Sequence, residues 1–343
     1  MQLHVMAGGR KLTDVQTFAR DVARAGLDGM VFVESGRTAY LSIAAAALAA
    51  PELEFSTGIA VAFPRSPMVT AKVAWELQEA TGGRFRLGLG TQVRAHIERR
   101  YGVDFDPPGP RLREYVQAVK AIFPAFRGEE KLAFDGEFHE LSLLPAMWSP
   151  GPIDFADPPI DVAAVGPWMV RMAGACADGV HVHPFHSRQY LDDRLLPGLR
   201  DGAEGADRKA DELTLSIPVF TVVGDTAEER AAWRDRARFQ IGFYGSTKNY
   251  SFMFDMLGFE GTSAALNEKL KAGDLPGMAA CITDEMLEQY TVESTWDDLA
   301  AKLIDKYDGI ADRLVLYFAE DMYGSDAKSL QRFGEVAAAV RNA

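Results

Sequence analysis

Residues 57–93 read TGIAVAFPRSPMVTAKVAWELQEATGGRFRLGLGTQV and hold the succession strand, turn, helix, turn, strand. The first strand, Glu54–Phe63, is apolar over most of its length. Ser66 and Pro67 then supply an N-cap and a first-turn proline, and the helix that follows runs to Thr81, where Gly82 stops it. Phe85–Thr91 is extended and apolar again. Two apolar strands joined through a helix form a βαβ unit, whose strands are parallel and covered on both faces.

The same pattern continues on either side. Gln2–Met6 and Gly29–Glu34 are strands, separated by a helix whose Val15, Phe18, Ala19, Val22 and Ala23 follow the helical period. Thr13 or Asp14 is the expected cap of that helix and Gly26 its stop. An alanine-rich helix is expected over Tyr40–Ala50, and another helix over Arg111–Arg127. Strand Ile160–Val165, a helix near Met169–Ala177, and strands Gly179–Pro184, Leu213–Val223 and Arg313–Phe318 complete the series. Eight apolar strands, mostly followed by helices and lacking a six-strand break, favour a single α/β domain of (β/α)₈ TIM-barrel type over a doubly wound sheet. Such a barrel needs about 250 residues, so roughly 90 are surplus. They fall in two insertions, about 128–158 after the fourth strand and 245–294 in the seventh repeat.

Of 343 residues, 36 are basic and 49 acidic, a formal net charge of −13; 48% are hydrophobic and 25% charged. This is the balance of a packed globular chain. The acidic excess argues against a nucleic-acid backbone or an anionic membrane surface as the main partner. Cys176 and Cys281 are far apart and form no CxxC pair, which fits a reducing compartment. The first residues lack the basic start and apolar stretch of a signal peptide, and the longest apolar run, Leu41–Pro51, is too short to span a bilayer. A cytoplasmic protein is expected.

In a barrel the chemistry gathers at the C-terminal ends of the strands. Those positions hold Ala7-Gly8-Gly9, Glu34-Ser35, the Gly58–Phe63 stretch, Gly90-Thr91-Gln92, Val165-Gly166-Pro167, His183-Pro184 and Ala319-Glu320. Their small residues suit either tapering barrel layers or close approach of a flat ligand. Gly88-Leu-Gly90 lacks the third glycine of a dinucleotide fingerprint. Gly166-Pro167 opens a helix whose free N–H groups suit a phosphate. His181, His183 and His186 spell HxHxxH; a hydrogen-bonded structural role is expected for His181, and His183 is the better candidate for contacting a ligand. As a ligand set for a metal-dependent hydrolase the three would need further ligands from other strands. Glu34 ends an apolar strand, either paired with Arg37 or Arg65 or held for proton or ligand work. Tyr250, Phe252, Met253, Phe254 and Met256 form either a helix packed on the barrel or a lid over an apolar substrate.

The run from Thr57 to Val93, with Arg65-Ser66-Pro67 and Thr81-Gly-Gly-Arg-Phe-Arg-Leu-Gly-Leu-Gly90, resembles the most characteristic stretch of the bacterial-luciferase-like monooxygenase superfamily. VGPWMVRMAGACADGVHVHPF, from Val165 to Phe185, is similar to its fifth- and sixth-strand element. LGLGTQVRAHIERRYG and ADGVHVHPFHS look most like the class that uses the deazaflavin coenzyme F420. The resemblance implies a barrel with F420, or alternatively FMN, at its C-terminal mouth. It implies a non-proline cis peptide or bulge at Gly58-Ile59 behind the ring, with Thr91 and Gln92 bordering the ring or its side chain. Val165, Gly166 and Pro167 would lie beside the ribityl phosphate. Many members carry His or Asp after the second strand, where this chain has Glu34-Ser35-Gly36-Arg37. The expected activity is hydride transfer between F420 and a small organic substrate, with Glu34 or His183 as proton partner. An FMN-dependent monooxygenase using O₂ is the alternative. A homodimer is expected, and Arg37, Arg65 and Arg94 are the cations expected to meet the anionic cofactor.

Overall fold

The computed structural model describes residues 1–343. Eight parallel strands follow one another around a closed sheet: β1 (Gln2–Ala7), β2 (Gly29–Phe32), β3 (Glu54–Thr57), β4 (Phe85–Gly90), β5 (Ile160–Ala164), β6 (Gly179–Val182), β7 (Thr214–Val223) and β8 (Arg313–Leu316). Closure comes from β8 against β1, with Gln2 opposite Arg313 and Val5 opposite Leu316. The architecture is the expected (β/α)₈ barrel. Outward-facing Leu3, Val5, Phe32, Leu87, Val162, Val180 and Ile217 join the helices in the main core. Inward-facing Met6, Val31 and Val315 form a small second core inside the barrel. Below them the floor is charged: Arg313 pairs with Glu54 and Arg86 with Asp161. His4 is buried there with neither ring nitrogen hydrogen-bonded. No helix is long and apolar enough to cross a membrane.

Helix boundaries shift modestly from those expected. The first helix is Leu12–Ala25; Lys11 occupies the N-cap without a side-chain bond, so Thr13 and Asp14 lie in the first turn and do not cap it. The alanine-rich helix is Ala39–Ala47, and the helix after β4 is Pro108–Arg127. After that helix, Phe134–Asp135 and Glu140–Leu141 form a hairpin. Glu114 holds it by accepting the backbone N–H groups of Glu137, Phe138 and His139 at 2.7–2.8 Å.

The second insertion follows helix Ala227–Gly245, which Thr226 and Glu229 start with a reciprocal capping box. It contains a turn at Lys248–Tyr250, four short helices between Phe252 and Tyr290, and a strand, Thr291–Ser294, that pairs with the far half of β7. That strand was not expected, because TVES has no apolar run to announce it. Its outer edge is covered by lysines. Lys306 donates to the carbonyls of Gln289 and Thr291, and Lys302 to that of Glu293.

The expected uninterrupted strand Glu54–Phe63 is broken, and the break positions the mouth. Phe55 faces Phe85 and Ser56 faces Arg86, but beyond the break Ala60 faces Leu89 and Val61 faces Gly90. β3 therefore carries one extra residue relative to β4, a bulge. The Gly58–Ile59 peptide within it is cis, at the position the family resemblance implied. The bulge takes β3 out of ladder register at Gly88, and the Thr57 hydroxyl takes over the lost pairing. Thr57 Oγ1 donates to Gly88 O at 2.7 Å and accepts from Gly88 N–H at 2.8 Å. Only glycine fits at residue 88, since a Cβ there would lie 1.9 Å from Thr57 O.

Replacing Thr57 by Val should strand both buried polar groups of Gly88 and cost about 1–3 kcal/mol for each. Urea unfolding should show a lower midpoint for Thr57→Val and for Gly88→Ala; a wild-type midpoint in either would remove this role.

Candidate active site at the barrel mouth

Glu34 lies just past β2, with its side chain only 5% exposed. One oxygen accepts the Val61 N–H at 2.8 Å and an Arg65 N–H at 2.8 Å, and the other accepts a second Arg65 N–H. Arg65 also donates to Val61 O. Of the two readings open from sequence, the structure shows the paired one, and the partner is Arg65. The pair fixes the strand segment that leaves the β3 bulge. Gly58 turns out to face inward: a Cβ there would press on Val31 and on the ring of His181. Its bareness thus serves the barrel interior directly.

At the ends of β4 and β5 the backbone is prepared for contact. Gln92 has φ 59°, a left-handed conformation uncommon outside glycine, and its Oε1 accepts the Val93 N–H. Thr91 Oγ1 donates to Gln92 O. Val165 O accepts the Tyr190 hydroxyl at 2.8 Å. Gly166 is the N-cap of helix Pro167–Cys176, no side chain caps that helix, and the space where a Gly166 Cβ would stand is open. The first-turn amides are therefore unclaimed by side chains.

The histidines separate. His181 was expected to be hydrogen-bonded, but no hydrogen bond holds its ring, which packs beside Gly58 with Asp161 as its nearest charge. His186 is a structural residue, its Nδ1 on His183 O at 2.9 Å and its Nε2 on the Tyr307 hydroxyl at 3.2 Å. No three His, Cys, Asp or Glu side chains converge as a metal site, so the hydrolase reading lacks its ligand set. His183 stands at the mouth. Its Nδ1 accepts the Phe185 N–H, which leaves Nε2 as the protonated nitrogen of the neutral ring. Tyr244 and Tyr250 pack on that ring with centroids 4.7 and 4.8 Å away. The Tyr244 and Tyr317 hydroxyls lie 2.7 Å apart. The insertion thus supplies Tyr250 to a roof above the barrel. Tyr317 was legible in principle, since Arg313, Val315 and Tyr317 alternate inward, whereas nothing in its sequence context marks Tyr244.

Of the expected cations, Arg65 is taken by Glu34 and Arg94 by Glu98 and Asp106. Arg37 donates to Gly9 O and Arg100 to Ser35 O, and neither is paired with a carboxylate. These two exposed arginines keep their charge on the rim. Glu320 is paired with Arg10 and accepts the Gly8 N–H.

A family profile described as luciferase-like monooxygenase matches residues 1–313. The chain belongs to the luciferase-like monooxygenase family. The uncharacterized protein Rv1360 of Mycobacterium tuberculosis is 36% identical, over 91% of this chain and 95% of its own length. The 5,10-methylenetetrahydromethanopterin reductase of Archaeoglobus fulgidus is 25% identical over 78% of each chain. An F420-dependent glucose-6-phosphate dehydrogenase of Nakamurella multipartita is 33% identical over 48% of this chain and 47% of its own. Among solved structures, the coenzyme F420-dependent tetrahydromethanopterin reductase of Methanopyrus kandleri superposes with a TM-score of 0.79, covering 97% of each chain at 16% identity. The FMN-bound oxygenating constituent of 3,6-diketocamphane monooxygenase from Pseudomonas putida gives 0.67, covering 98% of each at 17% identity. At such identities the structural likeness speaks for the barrel alone.

Burial makes the site sensitive to acid. It pushes His4 and His183 down to about 3 and His181 and His186 down to about 4. Unfolded histidines protonate near 6.5, so below that pH the unfolded chain binds more protons than the fold. Stability should be full above pH 6.5 and fall steadily toward pH 4, by about 1.4 kcal/mol per histidine at pH 5.5. Urea midpoints at pH 7.5 and 5.5 test this; equal midpoints would mean that these rings ionise freely within the fold.

Proposed function

We propose that this chain is an F420-dependent oxidoreductase moving a hydride between the deazaflavin and a small organic substrate at the barrel mouth. The observation that carries the reading is the joint presence there of the β3 bulge and an uncapped helix start after β5, in a chain whose relatives are named for F420 or for methanopterin reduction. The donor set fits a flat anionic cofactor. Backbone at Gly58 and Ile59 would support the ring, and Thr91 and Gln92 would border it. Val165, Gly166 and Pro167 would bring the helix amides to a phosphate. Arg37 on the rim would meet the remaining anionic groups against the chain's overall negative field. When bound, the cofactor supplies the hydride chemistry; the chain orients it and keeps donors aimed at the reacting oxygen. Glu34 acts as a positioning residue through Arg65 and Val61, and His183 offers its Nε2–H to the substrate.

Incubation with F420 or with FMN, removal of free ligand and an absorption spectrum test the cofactor. F420 should be retained and FMN not. Preferential retention of FMN with oxygen consumption would replace this reading by the monooxygenase one. Arg37→Gln should weaken F420 binding several-fold at low salt, a difference that high salt erases.

We also propose that the chain pairs with a second copy through helix Ala39–Ala47. No charged residue lies between Arg37 and Glu52, and Leu41 and Leu48 stand 58% and 77% exposed on that face. Val69 on the neighbouring helix is also exposed. Light scattering should give a dimer that Leu41→Glu with Leu48→Lys converts to monomer; a dimer that survives both substitutions would clear this face.

A further inference from the structure

Resting on the F420 reading, the roof of the site carries a statement about the substrate. Two free donors, from three side chains, converge there. The Phe185 N–H on Nδ1 makes Nε2 the protonated nitrogen of His183, and that N–H has no protein partner. Whichever of Tyr244 and Tyr317 donates to the other, one hydroxyl hydrogen of the pair remains to point outward. Aromatic rings back this group: buried Phe220 packs on Tyr317 at 4.7 Å, and Tyr250 on His183.

No ionised side chain is hydrogen-bonded to this group. His183 is influenced by other histidines only, and Tyr244 and Tyr250 by neutral side chains. Tyr317 feels Asp321, which Arg236 pairs at 2.9 Å. The ionised pairs nearer the barrel wall, Glu34–Arg65 and Arg10–Glu320, are closed on themselves. An anionic group brought among these rings would lose its water and gain no cation, whereas a hydroxyl or carbonyl oxygen would find its hydrogen bonds ready.

We propose that the substrate is an uncharged organic molecule whose reacting oxygen is received by the Tyr244–Tyr317 hydroxyl pair and by His183 Nε2–H, and that the pocket rejects a phosphate or carboxylate at that place. The rim arginines then serve the cofactor and the roof serves the substrate, so the two ligands are sorted by charge across the mouth.

Matched pairs of probes test this: 1-phenylethanol against phenyl phosphate, and cyclohexanol against cyclohexanecarboxylate. Binding is read by saturation-transfer NMR on the full chain, with and without F420. The neutral member of each pair should bind about tenfold or more tightly than the anionic one, and Tyr244→Phe with Tyr317→Phe should weaken neutral binding alone. Tyr250→Arg should raise the anion's affinity about tenfold by supplying the lacking cation. Anions that bind as well as alcohols, binding of neither member, or a Tyr250→Arg variant that leaves the ratio unchanged would each overturn the proposal. Failure of F420 to bind would sink the cofactor reading by itself, since the ratio is also measured without it.

Discussion

The site depends on one substitution of a side chain for a backbone. β3 holds a residue more than β4, and a sheet cannot absorb an extra residue without losing ladder bonds. The Thr57 hydroxyl replaces those bonds at Gly88, donating to its carbonyl and accepting from its amide. Because the replacement is short, the strands stay close, and that closeness excludes any side chain at residue 88. Beyond this point Glu34 and Arg65 take hold of Val61 and set where the strand emerges. The bulge, the glycine and the ion pair form one mechanical unit. The mouth inherits its shape from them.

The inside of the barrel adds a vertical order. Its floor is made of paired charges, its middle of small apolar residues and His181, and its mouth of aromatic rings with neutral donors. Ionised groups that close on a partner hold geometry without offering charge to a ligand. Polarity available to ligands is therefore concentrated where the pairing is incomplete, on the rim arginines and at the roof.

Much of this fold was legible because parallel barrel strands announce themselves as apolar runs. β4, β5 and β8 could be read almost to their ends, and Ser66 does accept the N–H of Val69 as the cap it was expected to be. The Gly58–Ile59 bulge was legible only by family resemblance, for nothing in EFSTGIAVAF marks an extra residue. Thr291–Ser294 was hidden because it is a strand by virtue of its neighbour β7. Glu34 was seen as important, yet two arginines were available and only packing chooses between them. The Tyr244–Tyr317 pair joins residues 73 apart in sequence, and such convergence has no local trace.

The lysines over the Thr291–Ser294 edge have a bearing on how the chain behaves in company. A closed barrel has no edges, but this appended strand leaves one, and exposed edges are templates on which other chains can add. Lys302 and Lys306 cover two of its carbonyl oxygens, those of Glu293 and Thr291, with ammonium groups. An incoming strand would have to displace them before it could pair. Neutralising these amines would remove the ammonium groups that stand between this edge and an incoming strand.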